Sequence, residues 1–189
     1  MTTISPSLTL AITAKSKAMK AAGEPVVSFG AGEPDFNTPQ HIIDAAKRAL
    51  DAGYTKYTPS SGLLSLRKAV AEKFRRDNGL DYEPSQIIVS NGAKHSIFNA
   101  CYALLEEGDE VIIPAPYWLT YPEVVKVCGG VPVYIEGKKE DKFKFTPADL
   151  ERAITPRTKM LIFNSPSNPT GAVYTESEVR AIAAACEKH

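Results

Sequence analysis

Three short segments of this chain carry residue types that bind a small charged ring, and each follows an apolar run. Asn164-Ser-Pro-Ser-Asn168-Pro169-Thr170-Gly171 sets one amide, Asn168, on a proline-stiffened backbone. Such a loop holds a hydrogen-bonding side chain still against a planar ligand. The plain alternative is a proline-rich turn before a capped helix. That explains the prolines and Gly171 but not Asn168, because Thr175 supplies the cap. Pro114-Ala-Pro116-Tyr117-Trp118 carries the only tryptophan in the chain behind two prolines. A lone tryptophan is commonly a core residue, but a braced one at a sheet edge also serves as a plate for a flat ring. Ser90-Asn91-Gly92-Ala93-Lys94 joins an apolar run to a helical one. Its small residues let the N–H groups of a first helical turn close on an anion, and Lys94 adds a charge. It is too short for a G-x-x-x-x-G-K-[ST] phosphate loop, and an ordinary turn with a solvated lysine is the plainer account. Taken jointly, an anion cup, an aromatic plate and an amide suit a flat, phosphorylated, heteroaromatic cofactor.

The elements that must position these loops alternate. Ile87–Val89, Val111–Ile113, Val131–Ile135 and Met160–Phe163 read as apolar strands, and Pro25–Phe29 as a further short one. Helical spacing runs up to Ala21-Ala22-Gly23, from Thr38-Pro39 (N-cap and first helical position) to Gly53, and from Leu63 to Asn78-Gly79. Further helices are predicted over Ala93–Leu105, Tyr121–Cys128 and Pro147–Ile154. Thr175-Glu-Ser-Glu178 is a capping box opening a last helix with Val179, Ile182, Ala183 and Cys186 inward. Apolar strands alternating with helices predict a largely parallel sheet covered on both faces, with ligands outside the carboxyl ends of its strands.

Composition narrows the class. The 189 residues are 43% hydrophobic, enough for a domain with a real core. Lys and Arg (22) balance Asp and Glu (22), which gives no electrostatic reason to expect nucleic acid or an anionic membrane surface as partner. Cys101, Cys128 and Cys186 lack C-x-x-C spacing, so reduced thiols are expected rather than disulfides or a metal site. No apolar run approaches a membrane span, and the expectation is a cytoplasmic protein.

With these residues in place, the chain resembles the N-terminal half of the class I, fold-type I pyridoxal-phosphate aminotransferases, the bacterial aspartate aminotransferases most closely. The resemblance is carried by Gly30-Ala-Gly-Glu-Pro-Asp-Phe36, Tyr57-Thr-Pro-Ser-Ser-Gly62, Asn91-Gly-Ala-Lys94, Pro114-Ala-Pro-Tyr-Trp118 and Ser165-Pro-Ser-Asn-Pro-Thr-Gly171. It implies a three-layer α/β/α fold with a mostly parallel sheet, the large domain of a pyridoxal-phosphate transferase, incomplete here. Residues 1–38 would form the N-terminal arm and part of the small domain, and residues 39–189 the first half of the large, cofactor-binding domain. In that family the first large-domain strand, here Ile87–Val89, is separated from the others by strands later in sequence.

The resemblance also implies roles. Pyridoxal 5'-phosphate would stack on Trp118, accept a hydrogen bond from Asn168 at its ring 3-oxygen, and rest its phosphate on the backbone of Gly92, Ala93 and Lys94. Tyr57 would reach the phosphate of the neighbouring subunit, making a homodimer with a shared active site. Gly32 would meet the substrate's α-carboxylate through its backbone, with Trp118 and Asn168 bordering the same substrate, and the Asn168–Pro169 bond would be cis. The family's Schiff-base lysine, its pyridine-pairing aspartate and its carboxylate-clamping arginine lie beyond the matched half. Lys94, Lys138 and Lys159 sit in other motifs, so the 189-residue chain alone is expected to be inactive. In the intact enzyme the implied reaction moves an amino group from an amino acid to a 2-oxo acid, with L-aspartate and 2-oxoglutarate giving oxaloacetate and L-glutamate. The alternatives are aromatic, alanine or prephenate specificity, or a non-catalytic protein keeping the fold.

Overall fold

The computed structural model describes residues 6–30 and 32–189. The first five residues of the expected arm, and Ala31 in the 30–36 loop, lie outside the described residues. The chain divides into two compact units, Ser7–Ser90 and Asn91–His189.

In the first unit, α1 (Leu8–Ala21) is capped by Ser7, whose hydroxyl accepts from the Leu10 N–H. The next helix, α2 (Gln40–Asp51), starts two residues after the Thr38 cap expected from sequence. Pro39 takes the cap position instead, and its carbonyl accepts from Ile42 and Ile43, so no side chain is needed. Helix α3 (Leu64–Lys73) runs on through a π-helical turn, Phe74–Asn78. Arg67 fastens its start, donating to the carbonyls of Gly62 (3.2 Å) and Pro84 (2.9 Å).

Two expected strands are absent from this unit. Ile87–Val89 is extended and Ile87 is buried, but no strand pairs with it among the described residues. Val89 N–H donates to the Ser61 carbonyl (3.0 Å) and Ile87 N–H to the Pro84 carbonyl (3.4 Å), neither of them in a strand. Pro25–Phe29 is likewise unpaired. Apolar β-branched runs favour extended backbone, but a strand exists only where a neighbour completes the ladder.

The second unit carries the sheet. Its elements are α4 (Ala93–Leu104), β1 (Glu110–Ala115), α5 (Thr120–Val127), β2 (Val131–Glu136), α6 (Pro147–Ala153), β3 (Thr158–Leu161) and α7 (Glu176–Lys188). The strands are all parallel in the order β2-β1-β3. Alternation along the central strand builds two cores. Val111 and Ile113 pack with Cys101 and Leu105 of the α4 region and Val125 of α5. Ile112 faces the other way, onto Ile135, Phe145, Leu150 of α6, and Ile182 and Ala185 of α7. All three β1 side chains are fully buried, each contributing about 1.5–3 kcal/mol relative to exposure. Helices α4 and α5 therefore cover one face and α6 and α7 the other, the expected three-layer α/β/α arrangement.

At the opposite edge from the loops of interest, Glu110 opens β1 buried, its carboxylate taking Nε and Nη2 of Arg157 (3.1 and 2.7 Å) and the Thr155 hydroxyl. That network ties β1 to the turn entering β3, and the Thr155 hydroxyl first, then Arg157, hold the carboxyl below its ordinary range. The capping box of α7 is present in both directions between Thr175 and Glu178. Its inward residues are Ile182 and Ala185; Cys186, expected inside, is exposed. Ile182 and Ala185 lie three apart on the same stripe, which turns the 179/183/186 row toward solvent.

Candidate functional site

From β1 the chain passes through α5 to β2 on one side, and from β2 through α6 to β3 on the other. The chain leaves β1 toward α5 on one face and leaves β3 toward α7 on the other, so the exits diverge at the carboxyl ends of these two neighbouring strands and leave a crevice there. The loop leaving β1 and the loop leaving β3 form its walls. Ala115 at the end of β1, Pro116 and Tyr117 of the first loop, Tyr121 in the first turn of α5, and Asn164 and Asn168 of the second loop line one pocket.

The β3 loop is held by bonds within itself, two to side chains and two between backbone groups. The Asn168 N–H donates to Asn164 Oδ1 (2.8 Å), Gly171 N–H to the Ser167 carbonyl (2.8 Å), Ser167 N–H to the Ala172 carbonyl (2.9 Å) and Tyr174 N–H to Ser165 Oγ (3.1 Å). The Ser165–Pro166 and Asn168–Pro169 bonds are cis. The backbone of Asn168 is thus fixed by Asn164, and its carboxamide has no partner among the described residues, which leaves both its donor and its acceptor for a ligand.

The β1 loop is held by rings. Tyr117 stacks on Tyr134 of β2, centroids 5.0 Å apart and planes within 14°. Trp118 meets Tyr121 edge to face at 5.5 Å, an arrangement aromatic quadrupoles favour. Burial first, then the contact with Tyr117, pushes the Tyr134 phenol up to about 12, and burial also raises Tyr121. Both are protonated at neutral pH, so they act as donors and packing surfaces rather than as bases.

The third component is the start of α4. Gly92 caps it at φ 83° and ψ 165° with no side-chain cap bond. This left-handed conformation suits glycine and leaves the N–H groups of the first helical turn, Ala93 and Lys94, without an intrahelical acceptor. Asn91 N–H donates to His95 Nδ1 (3.1 Å), closing the other side of the turn. The Lys94 ammonium lies over the Trp118 ring, 5.3 Å from its centroid.

Of the residues singled out from sequence, the structure brings Gly92, Ala93, Lys94 and Trp118 together, and Tyr121 joins Trp118 to the pocket that Asn168 lines. Gly32 and Tyr57 belong to the Ser7–Ser90 unit, where Tyr57 is fully exposed. The sequence reading missed Tyr121, Asn164, Tyr117 and Tyr134. The available signals were Tyr121 three residues after Trp118 and Asn164 four residues before Asn168. These residues fit a phosphorylated, flat heteroaromatic group: uncapped N–H groups and an ammonium for the anion, a half-buried indole for the ring face, and a free carboxamide on a fixed backbone for a ring substituent.

The chain is similar to known proteins along its length. The model of the family described as aminotransferase class I and II matches residues 24–189. The aspartate aminotransferase of Geobacillus stearothermophilus is 59% identical over 186 residues, covering 98% of this chain and 47% of that protein. The aspartate/prephenate aminotransferase of Cereibacter sphaeroides is 54% identical, over 98% of this chain and 46% of its own length. Among solved structures, aspartate aminotransferase from Thermus thermophilus with maleate superposes with a TM-score of 0.95 at 49% identity, covering 98% of this chain and 49% of that one. The chain spans about half the length of the curated relatives it matches.

Proposed function

The chain belongs to the class I and II aminotransferase family, and on that premise we propose that it supplies the cofactor-gripping part of an enzyme that moves an amino group from an amino acid to a 2-oxo acid. The family is pyridoxal-phosphate-dependent. When bound, that group supplies the electron sink through which an amino group can leave one acid and join another. The chain's own residues grip and orient it. The N–H groups of Gly92, Ala93 and Lys94 take the phosphate at the start of α4, Trp118 presents its indole to the ring, and the Asn168 carboxamide donates to the ring 3-oxygen. That last bond favours the ionised oxygen. The half-buried rings of Tyr117 and Tyr121 keep bulk water from that side of the crevice. The observation that carries this reading is the convergence of Lys94, Trp118 and Asn168, through Tyr121, at the carboxyl edge of β1 and β3.

The preferred substrates are L-aspartate and 2-oxoglutarate, giving oxaloacetate and L-glutamate, in a cytoplasmic homodimer. Gly32 takes the substrate's α-carboxylate through its backbone, and Tyr57 takes the phosphate held by the neighbouring subunit. In the same reading residues 1–38 serve as arm and small-domain segment, and residues 39–189 as the first half of the large domain. A second specificity, prephenate, is favoured by the relatives named aspartate/prephenate aminotransferases. Among the described residues no helix is long and apolar enough to cross a membrane.

Steady-state rates of the full-length protein with a panel of amino donors and 2-oxo acids test the proposal. Aspartate with 2-oxoglutarate should give the highest kcat/KM. A higher value for glutamate with prephenate moves the assignment to the second specificity, and no transamination with any pair rejects the enzyme reading.

A further inference from the structure

The contact between Lys94 and Trp118 carries an inference that rests on the cofactor reading above. Lys94 contributes to the site twice. Its backbone N–H belongs to the uncapped first turn of α4, and its side chain reaches from that turn to lay its ammonium 5.3 Å from the centroid of the Trp118 ring. One residue therefore spans the anion cup and the aromatic plate. A ligand held by its phosphate in the cup and by its ring on the plate must lie along that same span.

We propose that Lys94 is a specificity-determining residue that selects the phosphorylated ring over its dephosphorylated form by occupying the plate until an anion draws it off. An ammonium over an indole is a weak attraction at an exposed site, while an ammonium on a phosphate dianion is a charge-assisted contact of greater strength. A phosphorylated ring brings the anion that relocates the cation and so uncovers Trp118. A ring without the phosphate offers nothing in exchange and must displace the cation unaided. The lysine thus favours one ligand by attraction and disfavours the other by competition, the two halves of a specificity device. No bond is made or broken in the exchange.

The test uses the full-length protein freed of cofactor and two non-aldehyde probes that form no covalent bond with lysine, pyridoxine 5'-phosphate and pyridoxine, titrated by calorimetry. Lys94→Met should weaken pyridoxine 5'-phosphate and tighten pyridoxine by about two- to fivefold, the size of an exposed cation–ring contact. Lys94→Arg, which keeps a cation able to sit on the indole and on the phosphate, should retain the wild-type ratio. Pyridoxine that binds no more tightly to Lys94→Met, or does not bind at all, overturns the inference and leaves Lys94 as a phosphate contact alone. Failure of the wild type to bind pyridoxine 5'-phosphate overturns the cofactor reading itself, and the inference with it.

Discussion

Asn164 Oδ1 accepts the backbone N–H of Asn168 at 2.8 Å, so one asparagine of the β3 loop fixes the main chain of another whose own carboxamide stays available. Asn164→Ala should loosen that hold. A net hydrogen bond of this kind is worth about 0.5–1.5 kcal/mol, so cofactor affinity in the full-length protein should fall by roughly 2- to 13-fold by equilibrium dialysis. Asn164→Asp keeps an acceptor oxygen at the same place and should sit near the wild type. Equal losses in both variants would mean that the side chain matters for something other than accepting from Asn168.

Trp118 is held edge to face by Tyr121 and roofed by Lys94. Trp118→Ala removes the plate and its apolar area, and should weaken cofactor binding by roughly 1–2 kcal/mol. Dialysis of the full-length protein against the cofactor measures this directly. An unchanged dissociation constant removes Trp118 from the ring contact.

Asn168→Ala should leave the loop backbone in place, because the bond from Asn164 reaches main chain rather than side chain. Losing the donor to the ring 3-oxygen disfavours its ionised form. The pH midpoint of the bound cofactor's absorbance should therefore move upward in the full-length enzyme. A titration that superposes on the wild type contradicts the assigned contact.

Lys144 donates to both carboxylate oxygens of Glu178, at 3.0 and 2.8 Å. Lys144 first, then the Thr175 N–H, holds the Glu178 carboxyl down at about 2 against an ordinary 4.5. A carboxylate whose folded-state pKa is lowered stabilises the fold above its unfolded pKa and loses that contribution as pH falls through the folded value. The difference in urea midpoint between wild type and Glu178→Gln should be fully present at neutral pH, shrink below about pH 4.5, and vanish near pH 2. A difference that stays constant across that range, or grows toward acid, contradicts the pairing.

What the sequence made legible follows from how local each feature is. Strands β1 and β2 stand in the chain as apolar runs between turn formers, and the α7 cap is written in four consecutive residues, Thr175 to Glu178. Strand pairing is not local. Ile87–Val89 has the residue types of a strand, yet nothing in its own composition reveals whether a neighbour will stand beside it, and among the described residues none does. The same limit applies to the site. Gly92, Trp118 and Asn168 are conspicuous by type and setting, whereas Tyr121 and Asn164 matter through what they touch. On α7 the expected Ile182 is buried while Val179, Ala183 and Cys186 are exposed, because a helix rich in alanine presents two neighbouring apolar rows and packing against Ile112 and Leu150 selects the one containing Ile182 and Ala185.

The most direct measurement is a crystal structure of the full-length protein with pyridoxal 5'-phosphate bound. The account predicts the phosphate on the N–H groups of Gly92, Ala93 and Lys94, the ring against Trp118, and the 3-oxygen within hydrogen-bonding distance of Asn168. A cofactor seated away from the carboxyl ends of β1 and β3, or turned so that Asn168 faces another part of the ring, would contradict it.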